Sequence, residues 1–201
     1  MLTEYLWMAP ALALLLGYLL GSIPFGVLLT RAAGAGDLRQ IGSGNTGATN
    51  VLRTGRKGLA AATLLLDGFK GWLAVMLCEW LFPGTAVVAA AAAFFGHLYP
   101  VWLKFRGGKG VATLMGIVLA LHWPCGLIYA AVWLGLLAAL RISSVAGMGA
   151  AISAPVSAAF YAQFDIVLLL IALCLLVLWK HRENIDRLLS GTEPRLGRKH
   201  G

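Results

Sequence analysis

Residues 42–53 interleave glycines at 42, 44 and 47 with Ser43, Asn45, Thr46, Thr49 and Asn50, and close on Arg53. Glycine lets backbone N–H groups approach an anion closely. The hydroxyls and amides add neutral donors, and a guanidinium adds a planar fork that matches phosphate. The stretch is neither a Walker loop nor a dinucleotide fingerprint, since no strand precedes it. It reads as a plain polar loop or as a phosphate cradle.

A second run alternates cations with glycines: Lys104, Arg106, Gly107, Gly108, Lys109 and Gly110, directly before an apolar segment at Val111. A helix starting there would aim the positive end of its dipole at the loop. The competing reading is a short loop whose cations only set orientation. A third polar segment begins at Lys180. His181, Asn184 and Leu188 share one face of a helix predicted to run on from the apolar stretch before it, with Gly191 as its stop. Such a helix could equally lie against anionic headgroups. Ser143, with Ser144, opens another apolar segment, either as a helix cap or as part of the same site.

The rest of the chain must position these residues, and its composition says how. Of 201 residues, 60% are hydrophobic and only 12% are charged, and the mean hydropathy is +0.83. A soluble fold of this size could not cover itself with so little polar surface. The pattern predicts one all-α integral membrane domain over 1–201. Its apolar segments fall at 5–33, 58–82, 85–103, 111–122, 125–140, 142–161 and 164–179. The stretch 111–140 is too long for one upright span, and Pro124 disfavours an unbroken helix. Counting it as two gives seven spans. Every lysine and arginine outside the spans then falls on one side, against Glu4, Glu79 and Asp165 on the other. The expectation is seven transmembrane helices, N-terminus out and C-terminus in. The segment 111–122 should then be a short, shallow helix that holds the 107–110 loop near the membrane surface.

The net charge of +8 suits an anionic lipid or substrate better than nucleic acid, because the cations gather in three loops of a membrane protein. Asp67 and Lys70 stand three residues apart within a span, which predicts an internal ion pair holding the fold or a site floor. His97 reads as a hydrogen-bonded structural residue and Glu79 as a solvated one, while His122 and His200 receive no role. The three cysteines lie in apolar segments and read as small buried hydrophobes. No histidine or carboxylate set has metal-ligand spacing, so neither metal nor cofactor is expected.

Six stretches in order resemble the bacterial acyl-phosphate:glycerol-3-phosphate acyltransferase family. They are 21–26 (Gly-Ser-Ile-Pro-Phe-Gly), 43–53, 67–71 (Asp-Gly-Phe-Lys-Gly), 96–100 (Gly-His-Leu-Tyr-Pro), 107–113 and 181–188. The resemblance covers nearly the whole chain. It implies seven helices, a site on the cytoplasmic leaflet of the bacterial inner membrane, and no metal. It also implies transfer of a fatty acyl group from acyl phosphate to the sn-1 hydroxyl of glycerol 3-phosphate, with membrane lipids around the protein.

On that reading, Arg53 and Lys109 hold the donor phosphate as it leaves. The loop with Ser43, Asn45, Thr49 and Asn50, together with Gly107 and Gly108, supplies donors to phosphate oxygens. Lys104, His181 and Asn184 orient glycerol 3-phosphate, with Ser143 beside them. His181 or the donor's own phosphate takes the alcohol proton. His181 and Asp186 also spell a His-x4-Asp motif, but five helical residues turn them about 140° apart, so they read as no dyad. A small-anion transporter is the rival reading, disfavoured because the functional groups gather on one side and no internal repeat is evident.

Overall fold

The computed structural model describes residues 7–197. Among them every regular element is helical and no strand occurs. Glu4, the start of the first expected span and His200 lie outside the described residues. The packing divides the chain into two compact units, Met1–Leu121 and His122–Gly201.

The first unit contains α1 (Met8–Gly21), α2 (Phe25–Ala32), α3 (Ala48–Leu52), α4 (Lys57–Leu81), α5 (Ala86–Leu98) and α6 (Val111–Leu121). The second contains α7 (Trp123–Leu140), α8 (Ser143–Phe160), α9 (Phe164–Lys180) and α10 (Arg182–Leu189). Each of the seven expected apolar segments is therefore helical. By length and composition, five helical stretches among the described residues suffice to cross a bilayer, and six do if the bent pair α9–α10 is one span. Helix α6 has 11 residues, about 16 Å of rise, and falls short of the hydrocarbon thickness as the sequence predicts. The predicted break at 122–124 is present: His122 is extended and Pro124 sits in the first turn of α7.

Three segments expected to be continuous are not. The first span breaks at Ser22–Pro24, because proline lacks an N–H and pushes the residue before it out of helical geometry. The third stops at Leu98 ahead of Pro100 and resumes as a 3-10 turn at Val101–Leu103. The tail helix bends by 57° at His181 instead of running straight on. Glu79 is also more than a solvated charge. Its carboxylate accepts from the backbone N–H groups of Gly84 and Ala86 at 2.9 Å each, capping the start of α5.

Small residues let the helices approach closely. A Cβ on Gly21 would collide with the Ala93 carbonyl, and one on Gly116 with the Gly68 carbonyl. These contacts join α1 to α5 and α4 to α6, as expected where lipid supplies no hydrophobic drive between helices. Large apolar side chains point outward instead: Leu65, Leu168 and Phe160 are mostly exposed. The exposed Trp7, Trp80, Trp123 and Trp179 sit at helix ends, where interfacial anchors belong.

Candidate functional site

The first glycine loop is organised around Asn50, which is buried at 2% exposure. Its Nδ2 donates to the carbonyls of Leu38, Ile41 and Asn45, each at 2.9 Å. Its Oδ1 accepts from the backbone N–H of Ser43 at 3.2 Å. The amide expected to donate to a ligand is thus committed to the loop's own backbone. Asn50 closes the loop, and other groups face outward. Gly42 and Gly44 take positive φ angles of 56° and 66°, which only glycine adopts without strain.

Arg53 ends α3 and folds back over this turn. A Cβ on Gly42 would lie 2.8 Å from its Nη1. No carboxylate pairs with Arg53 among the described residues, whereas neighbouring Arg39 is held by Asp37 at 2.7 Å. That guanidinium keeps the Asp37 carboxyl down at about 2. Ser43 is exposed, Thr49 is half-buried on α3, and the buried Asn45 Oδ1 has no hydrogen-bond partner among the described residues.

The second loop is seated on the end of α5. Gly107 N–H donates to the Leu98 carbonyl and Gly108 N–H to the His97 carbonyl, both at 3.1 Å. A Cβ on Gly107 would strike the His97 carbonyl, and one on Gly108 the His97 imidazole, so no larger residue fits this seat. Lys104 and Phe105 both take left-handed backbone angles (φ 51° and 61°), a strained pair that turns the Lys104 side chain outward, where it is exposed. Lys109 is half-buried between the seated glycines and α6.

The break in the first span serves this loop. Leaving the helix at Ser22–Pro24 frees two carbonyls. Trp102 Nε1 donates to that of Ser22 at 2.6 Å, and Lys70 Nζ to that of Ile23 at 2.7 Å. Tyr18 donates to the Tyr99 carbonyl at 3.0 Å and accepts from the Val101 N–H at 3.1 Å. The expected ion pair is present: Lys70 and Asp67 meet at 2.7 Å, both nearly fully buried.

The second unit carries its own polar cluster. His181 is buried at the α9–α10 bend, and its Nδ1 lies 2.8 Å from the Val177 carbonyl. A carbonyl only accepts, so Nδ1 carries a proton in this contact. Asp186 is exposed on α10, whereas His181 is buried. Asn184 Nδ2 donates to Glu193 Oε1 at 2.6 Å, Ser144 Oγ to the same oxygen at 2.6 Å, and Arg187 Nε to Oε2 at 2.7 Å. Burial raises the Glu193 pKa, but these donors outweigh it and leave it below the usual glutamate value.

Ser143 starts α8 without capping it; the N-cap is Ile142. Glu193 is the member of this cluster to which the sequence assigns no role, and Ser144, not Ser143, is the serine that joins it. Helical phase distinguishes the serines, since Ser144 lies on the buried face with Gly147 and Ala151 whereas Ser143 is only half-buried. Among the described residues no three His, Cys, Asp or Glu side chains could hold a metal ion.

Chemically, the first unit offers two glycine loops with cations held beside them; the Gly107 and Gly108 N–H groups expected to reach phosphate are spent on the Leu98 and His97 carbonyls, which leaves the cations of that loop to meet phosphoryl oxygens. The second offers a buried imidazole and an oriented amide. A family model described as glycerol-3-phosphate acyltransferase matches residues 11–191. A glycerol-3-phosphate acyltransferase of Mesorhizobium japonicum is 56% identical over 94% of this chain and 96% of its own. One from Rhodopseudomonas palustris is 55% identical over 93% and 96%. Two crystal structures of PlsY, an integral membrane glycerol 3-phosphate acyltransferase, superpose with TM-scores of 0.87 (the glycerol 3-phosphate form) and 0.85 (the lysophosphatidic acid form). Their sequences are 38% and 36% identical to this one. The alignments cover 94% of this chain, and 96% and 95% of theirs.

Proposed function

Because this chain belongs to the glycerol-3-phosphate acyltransferase family, we propose that its acyl donor is acyl phosphate and its acceptor the sn-1 hydroxyl of glycerol 3-phosphate. The hydroxyl oxygen attacks the acyl carbon and a new ester C–O bond forms. The bond from that carbon to the phosphate oxygen breaks. Lysophosphatidic acid and inorganic phosphate leave, an early step of phospholipid biosynthesis.

The observation that carries this reading is Arg53 folded over the Gly42–Gly44 turn in the same unit as Lys104 and Lys109 around the seated Gly107–Gly108 pair. Both substrates bear phosphate, and an acyl phosphate is already an activated anhydride. The protein therefore mainly positions reactants and neutralises charge. Arg53 and Lys109 hold the donor phosphate through departure. Ser43, Asn45 and Thr49 offer donors from the loop that Asn50 closes, and the Gly107 and Gly108 backbone supports the loop beside Lys104. Lys104, His181 and Asn184 bind and orient glycerol 3-phosphate, with Ser143 and Ser144 at the start of α8. The hydroxyl proton passes to His181 Nε2 or to the departing phosphate.

The chain crosses the inner membrane seven times, with α6 as a short span. The 34–57 and 104–110 loops, Arg141 and the tail face the cytoplasm, where soluble glycerol 3-phosphate is met. Supplying purified protein with acyl phosphate or with an acyl thioester, at equal glycerol 3-phosphate, tests the donor. Turnover with acyl phosphate alone is the expected result. Equal turnover with the thioester contradicts it.

A further inference from the structure

Asp67, Lys70 and His97 are buried in the first unit, and the proposed reaction gives none of them a role. A buried ion pair is a poor source of net stability, because desolvation of both charges offsets their attraction. What the pair does hold is geometry. Lys70 takes Asp67 on one side and the Ile23 carbonyl on the other, each at 2.7 Å, pinning the α1–α2 break. Asp67 Oδ1 lies 3.8 Å from His97 Nδ1. The opposite edge of that imidazole is the surface on which Gly108 rests, and the His97 carbonyl accepts the Gly108 N–H.

A cavity of about 10 Å³, the size of a single water, is lined by Asp67, Lys70, His97 and Pro100, and also by Thr46 of the first loop. The Thr46 carbonyl in turn fills the space that a side chain at Gly26 would need. His97 therefore touches the underside of the second glycine loop, and the three side chains share a water-sized space with Thr46 of the first.

We propose that Asp67, Lys70 and His97 are positioning residues: a buried relay that sets the seat of Gly107–Gly108, and so the reach of Lys104 and Lys109, against the Thr46 side of the first loop. This rests on the reading of those loops as phosphate holders. A change at Asp67 alters the charge 3.8 Å from the His97 ring, and any shift of that ring moves the Gly108 backbone resting on it. Catalysis feels this as misplaced cations, since displacements near 1 Å are enough to matter.

The test is steady-state kinetics on full-length Asp67→Asn, His97→Gln, Gly108→Ala and the Asp67→Asn/Gly108→Ala double variant. Thermal unfolding is measured alongside, with and without glycerol 3-phosphate. The relay predicts that each single variant raises the KM for glycerol 3-phosphate by about tenfold or more, with kcat changed less than about threefold. The double variant should be no worse than its more damaged parent, because both changes act through one loop position. Lower melting temperature with unchanged KM, or strictly multiplicative losses in the double variant, overturns the relay. If Asp67→Asn does not fold, the charge-free pair Asp67→Asn/Lys70→Gln carries the same comparison. If the wild type shows no turnover, the proposed reaction fails on its own. The relay is then judged by whether the variants lose the unfolding shift produced by glycerol 3-phosphate; a fully retained shift, or none in the wild type, overturns it.

Discussion

The side-chain amide of Asn184 donates to the Glu193 carboxylate at 2.6 Å, so the tail doubles back past Gly191 and fixes which way that amide points. An amide gripped through Nδ2 presents its Oδ1 in a set direction. With Ser144 and Arg187 on the same carboxylate, Glu193 joins the start of α8 to α10.

Glu193→Gln should destabilise the second unit by about 1–3 kcal/mol, since buried donors lose a charged acceptor. The pH dependence follows in sign. The folded pKa of Glu193 lies below its ordinary 4.5. Its contribution is therefore complete above about pH 4.5 and is lost as pH falls through the lower folded value. Melting temperature followed from pH 6 down to pH 3 should fall in the wild type and fall less steeply in Glu193→Gln. Parallel curves contradict this.

At Asn50, aspartate should be worse than alanine. Alanine leaves the Leu38, Ile41 and Asn45 carbonyls without their donor, at a cost of about 1–3 kcal/mol. Aspartate keeps the shape but turns a carboxylate oxygen toward the same carbonyls. Both should lower kcat/KM, with Asn50→Asp retaining less folded protein by size-exclusion chromatography.

Close helix packing predicts a contrast between two glycines. Gly116→Ala forces a Cβ against the Gly68 backbone and should cost about 1–3 kcal/mol by overpacking. Gly135→Ala meets nothing within 4 Å and should leave the melting temperature nearly unchanged. Equal losses at both sites would contradict the packing.

His181→Ala separates binding from proton transfer by magnitude. A general base contributes about a hundredfold or more to turnover. With the ring pinned at Val177 and the departing phosphate able to accept the proton, we expect the KM for glycerol 3-phosphate to rise while kcat at saturation falls less than about tenfold. A kcat loss beyond a hundredfold assigns the proton to His181.

Some of this was legible in the sequence, for identifiable reasons. Pro124 and the alternation of charge marked the break between α6 and α7, and glycines spaced by cations marked both loops. Asp67 and Lys70 announced their pairing because unpaired charges are costly at that depth. The break at Pro24 was masked by the apolar residues around it, although proline was the available signal. Asn50 looked like a ligand donor because polarity does not reveal whether an amide faces a ligand or its own loop. Ser143 and Ser144 read alike as a cap or a site residue, and only the phase of the buried face, set by packing, separates them. Glu79 and Glu193 bond backbone or side chains brought to them by chain reversals, which no local pattern encodes.

The central claim is that cations on glycine loops hold the phosphates of both substrates. Its most direct test measures inorganic phosphate and lysophosphatidic acid together, from purified wild type and from Arg53→Ala, at saturating acyl phosphate and glycerol 3-phosphate. The account predicts equal amounts of the two products from the wild type, and a rate lower by about 10²–10³-fold in Arg53→Ala with folding retained. Phosphate without lysophosphatidic acid, or an undiminished rate in Arg53→Ala, would contradict it.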